Sequence, residues 1–129
     1  MRFLAVLLLA ATCHAQLQLP KQPEPRHIDF TQPLIGIDGK PLVDGDSKDK
    51  HVLTLGDVSV ASLEGMLDSD RSSSGKERFE RDELARKIVN NKDCVLGPTD
   101  VATLVDRIGK SFPPVVVGAA WRMLGETGK

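Results

Sequence analysis

Residues 97–110 read Gly-Pro-Thr-Asp-Val-Ala-Thr-Leu-Val-Asp-Arg-Ile-Gly-Lys, and this stretch decides the fold. Val101, Leu104, Val105 and Ile108 fall at i, i+3, i+4 and i+7, the spacing of one apolar helix face. Pro98 suits the first helical position, because its missing N–H would be unbonded there anyway. Gly109 and Lys110 supply a glycine stop and a terminal cation. A helix over 98–108 therefore needs a core to lie on, and the neighbouring segments must provide it.

Downstream, Phe112-Pro113-Pro114 forms a rigid elbow, and Val115 to Leu124 is apolar almost all round, broken by Arg122. Ala119 to Leu124 favours a buried C-terminal helix, with Gly125 as its stop. Upstream, Ser74-Gly-Lys-Glu77 has the form of a capping box and starts a helix reaching about Asn90. Glu77/Arg81, Asp82/Arg86 and Glu83/Lys87 are i,i+4 pairs in the favourable order, and Leu84, Ala85 and Ile88 form a narrow seam. Phe79 lies about half a turn away from Ile88, so it belongs on a neighbouring loop or at the surface. Thr54-Leu-Gly-Asp57 opens an earlier helix in the same manner, with Leu55, Val58, Ser62, Leu63 and Gly65 along a loose face that continues to Met66 and Leu67. Residues 68–75, Asp-Ser-Asp-Arg-Ser-Ser-Ser-Gly, read as a flexible connection of solvated side chains.

Nearer the start, His27-Ile-Asp-Phe30 alternates as a half-buried strand does. Asp38-Gly39 between apolar flanks marks a hairpin over Pro33–Val43 with a type I′ turn, and Pro33 and Pro41 make its strands short and edge-like. The fold class is α+β: a short N-terminal β-hairpin followed by about four short α-helices, the last pair forming the small helical core. The division is a leader over 1–15, a Pro/Gln-rich linker over 16–26, one domain over 27–125 and a tail over 126–129.

Residues 1–15 have the layout of a secretory signal peptide: Arg2, an apolar run from Phe3 to Ala11, and a small residue before the candidate cleavage point between Ala15 and Gln16. The run is shorter than the roughly 20 residues a bilayer span requires, so the mature chain carries no stable membrane span. The alternatives that stay open are lipidation at Cys13 after Leu9-Ala10-Ala11-Thr12, and a start codon assigned too early or a chance apolar start. A genuine leader sends the domain to the periplasm or outside the cell. A mis-assigned start leaves it in a host cytoplasm or a virion.

The chain carries 17 Lys and Arg against 18 Asp and Glu, a net charge of −1, so there is no basic footprint for nucleic acid. It has no Tyr and one Trp, which leaves little material for base stacking or aromatic cages. Outside the leader Cys94 stands alone, so no intrachain disulfide can staple the domain. His27 and His51 are not at metal-ligand spacing with it. Asp44-Gly-Asp46 and Asp68-Ser-Asp70 fail as calcium loops: Lys48 and Leu55 occupy ligand positions of the first, and Ser73 and Phe79 break the second. These acids read as solvated turns. Ser72-Ser-Ser-Gly75 is not a nucleophile elbow, and Leu96-Gly-Pro-Thr99 lacks the lysine of a phosphate loop. The expectation is a non-enzymatic chain with no cofactor. A hydrolase or metal site would need His27, His51 or Cys94 to meet carboxylates in a pocket. Trp121 and Phe112 are the candidate partner anchors, although Trp121 also suits the role of the core's largest side chain.

The series Leu53-Thr-Leu-Gly-Asp-Val58, Gly75-Lys-Glu77, Arg81-Asp-Glu-Leu-Ala-Arg-Lys-Ile88, Ile108-Gly-Lys110 and Pro114-Val-Val-Val-Gly-Ala-Ala-Trp121 resembles small proteins encoded by tailed bacteriophages and prophages. Asp29-Phe-Thr-Gln-Pro-Leu34 and Asp38-Gly39 resemble the way those chains open. The resemblance spans residues 27–125. It implies an accessory or assembly role through protein contacts, with a virion component or a second copy as partner, and transfers no active-site residue.

Overall fold

A computed structural model of the chain describes residues 24–45, 48–91 and 93–125. The leader, most of the linker and the tail expected from the sequence lie outside these residues, as do Ala15, Gln16 and Asp46. The architecture is α+β. Strands β1 (Arg26–Asp29), β2 (Val43–Asp44) and β3 (His51–Val52) precede α1 (Leu55–Glu64), a 3-10 turn over Asp68–Ser72 and α2 (Gly75–Asn90). Strand β4 (Asp93–Leu96), α3 (Pro98–Ser111) and α4 (Pro114–Met123) complete it.

The expected hairpin is present: Ile35 bridges Pro41, and Leu42 N–H donates to the Leu34 carbonyl at 2.8 Å. Its turn differs from type I′. Gly36 N–H donates to Lys40 O at 2.8 Å and Gly39 N–H to Gly36 O at 3.0 Å, and Gly39 alone of the loop has a left-handed backbone, φ 76°. This is a three-residue loop with a glycine bulge, so Asp38 needs no strained conformation. The hairpin continues into β3, with Val43 opposite Val52. Leu34, Leu42 and Leu53 close a ring of backbone bonds, each donating to the next at 2.8–2.9 Å.

Strand β1 starts at Arg26, the last residue expected in the linker, and pairs antiparallel with β4, Ile28 opposite Cys94. Ile28, Cys94 and Leu96 face the core, while His27, Asp93 and Val95 face outward. Strand β4 has only four residues and a partner 66 positions away, so local periodicity gives it no signature. The Arg26 guanidinium also donates to the Leu124 carbonyl, beyond the end of α4, joining the two ends of the domain.

Both capping boxes form. Thr54 Oγ1 accepts from Asp57 N–H at 3.2 Å, and Asp57 reaches back to Thr54 N–H at 3.0 Å. Ser74 and Glu77 repeat the exchange on α2. The next free N–H groups of α1 are taken from outside: Leu55 donates to Gln32 O and Gly56 to Phe30 O. A Cβ at position 56 would stand 2.9 Å from that Phe30 oxygen, so the close approach requires glycine.

Helix α3 runs past Gly109 to Ser111, with Phe112 as its cap. Gly109 is therefore not a stop. A Cβ there would meet Trp121 Cζ2 at 2.9 Å, so its bare backbone gives the indole room to cross α3. Gly125, at φ 79°, does end α4 as expected. The core is not made by α3 and α4 alone. Helix α1 packs against α2, α3 and α4, and Phe30, Leu34, Leu55, Val58 and Leu96 join the deepest positions of α3 and α4.

Candidate functional site

Helices α2 and α3 both lean on α1 and diverge from each other, which opens a groove of about 1000 Å³ between them. Its floor is the feature the sequence reading missed. Asp70 is 4% exposed and Arg107 5% exposed, so Asp70 is not the solvated turn acid expected from its loop, whereas Asp68 is.

The 3-10 turn makes this possible by folding residues 68–72 back under α2. Asp70 Oδ2 accepts Leu67 N–H at 2.7 Å, and the Ser73 hydroxyl donates to the Asp70 carbonyl at 2.7 Å. Arg107 Nη1 donates to both carboxylate oxygens of Asp70, at 2.7 and 2.9 Å. The same guanidinium donates through Nε to Ser62 O at 2.9 Å and through Nη2 to Gly65 O at 2.6 Å. Those carbonyls lie at the C-terminal end of α1, where acceptors lack helical partners and a cation is favoured. Arg81 Nη1 reaches Asp70 Oδ1 at 2.7 Å from α2, in place of the Glu77 partner expected for it. Arg78 adds a bond to the Asp70 carbonyl at 3.0 Å. The Leu67 N–H and the Arg107 guanidinium hold the Asp70 carboxyl down to about 2.

One carboxylate thus joins α1, the 3-10 turn, α2 and α3. Arg107 carried a faint signal: it lies three residues after Leu104, on the flank of an otherwise apolar face. Asp70 carried none, since a buried acid in a serine-rich tract has the same local sequence as an exposed one.

Phe79 stands on the α2 wall of the groove, 62% exposed, as its half-turn offset from the seam requires. Thr99, Asp100 and Thr103 line the α3 wall. Leu84 sits at the base, buried within the predicted Leu84–Ala85–Ile88 seam.

The other candidates lie elsewhere. Trp121 and Phe112 are half-buried and pack against the core, and the indole N–H of Trp121 donates to Val105 O at 3.1 Å. His27 bonds Asp93 across the β1–β4 ribbon at 2.7 Å. His51 bonds Asp57 at 3.0 Å. Burial pushes the Asp57 carboxyl up, but Thr54 N–H and the His51 ring together hold it below its ordinary value. Cys94 is buried, and burial raises its thiol. Neither His51 nor Cys94 lines the α2–α3 groove. Among the described residues no three His, Cys, Asp or Glu side chains are grouped to hold a metal ion. No helix among them is long and apolar enough to cross a membrane.

No protein-family model matches the chain, and no curated protein or solved structure matches it either.

Proposed function

We propose that this chain is a non-enzymatic accessory or assembly protein of the kind tailed phages and prophages encode, and that it works by holding another protein in the α2–α3 groove. The observation that carries this reading is Phe79. Phe79 is the one aromatic among the exposed large apolar side chains of the described residues, and it stands beside a groove of about 1000 Å³, where a partner's apolar side chain could pack on it. Asp70 ties α2 to α3 through Arg81 and Arg107 at the same groove. The resemblance over residues 27–125 supplies the phage setting by association.

A photo-crosslinking phenylalanine analogue at position 79, with position 89 as control, tests the reading in cells expressing the full chain. Val89 is also exposed but does not line the groove. The expected result is an adduct at 79 that is missing at 89, with a virion or assembly protein, or a second copy, as the captured species. No protein adduct specific to 79 overturns the reading.

A second reading, an exported small domain with an unknown ligand, is favoured by the signal-like layout of Arg2, Phe3–Ala11 and Ala15. N-terminal sequencing of the expressed protein decides it: a chain starting at Gln16 supports export, and an intact Met1 removes it.

A further inference from the structure

We draw no further inference here: the strongest candidate, the surface patch of exposed aliphatic side chains Ile35, Ile37, Val43 and Val52 on the N-terminal hairpin and β3, carries nothing, because nothing in the structure shows what covers it.

Discussion

Helix α3 is held on two sides by opposite means. Toward α1 and the 3-10 turn, Arg107 makes four hydrogen bonds to Asp70, Ser62 and Gly65. Toward α4, two residues further along and about 200° around the helix, Gly109 offers bare backbone to the Trp121 ring. The first joint is directional and charged. The second is a matter of shape, with one indole N–H bond to Val105. They should fail differently. A buried ion pair loses most when one partner is removed, because the other charge stays behind without compensation. A packed joint loses in proportion to the misfit.

The largest effect separating them is expected from Arg107→Leu. It leaves the buried Asp70 carboxylate with Arg81 and the Leu67 N–H, and abandons two carbonyls at the end of α1. The cost should be about 3–5 kcal/mol, read as a lower midpoint in urea unfolding. A loss of less than about 1 kcal/mol would mean that the charged joint is no stronger than a surface pair.

Acid should loosen the charged joint and spare the packed one. The Asp70 carboxyl is lowered to about 2 from an ordinary 3.8, so its contribution is fully present above about 3.8 and is lost as pH falls through about 2. Asp29, held low by the Thr31 hydroxyl, and Asp57 act in the same direction, so global melting does not isolate Asp70. Amide exchange does. Protection at Leu67 and in the 3-10 turn should fall across this window while Trp121 fluorescence holds. Simultaneous loss of both signals would show that the two joints are one cooperative unit.

Gly109→Ala sharpens the comparison from the other side. The new methyl gains roughly 1 kcal/mol of helix propensity but meets the indole at 2.9 Å. Overpacking of about 1–3 kcal/mol should leave a net loss near 1 kcal/mol. Because Trp121 is the only tryptophan, its emission should shift, with amide protection at Asp70 unchanged. A net gain in stability would show that the ring moves aside freely.

The smallest effect belongs to Lys110→Ala. The Lys110–Asp106 pair spans 2.9 Å on the same helix, but both side chains are more than half exposed. Its loss should change stability by no more than about 0.5 kcal/mol, and added salt should erase even that.

These contrasts bear on what could be read from residues alone. The two capping boxes were legible because a cap is a local exchange between positions three apart, Thr54 with Asp57 and Ser74 with Glu77. The seam of Leu84, Ala85 and Ile88 was legible because helical periodicity assigns a face. The hairpin was legible from Asp38-Gly39, although the same dipeptide serves a bulged loop as readily as a type I′ turn. Strand β4 was not, since four residues pair with a segment far away in sequence. Gly109 misled because a glycine near a helix end is most often a stop, and only the position of Trp121 assigns it another purpose. The candidate site was legible in one residue. Phe79, off the seam, had to be exposed or cover a loop, but the groove beside it exists because α2 and α3 both pack on α1 and hardly on each other.

Sequence by itself determined the α+β class, the helices and the two capping boxes, because these follow from contacts within a few residues. Tertiary structure alone decided the fate of the charges. Asp70 and Asp68 stand two positions apart in the same serine-rich tract, and one is sealed beneath two arginines while the other is bathed in water. Burial is a property of what arrives from elsewhere in the chain, here Arg81 and Arg107 from separate helices, and no local pattern encodes that arrival.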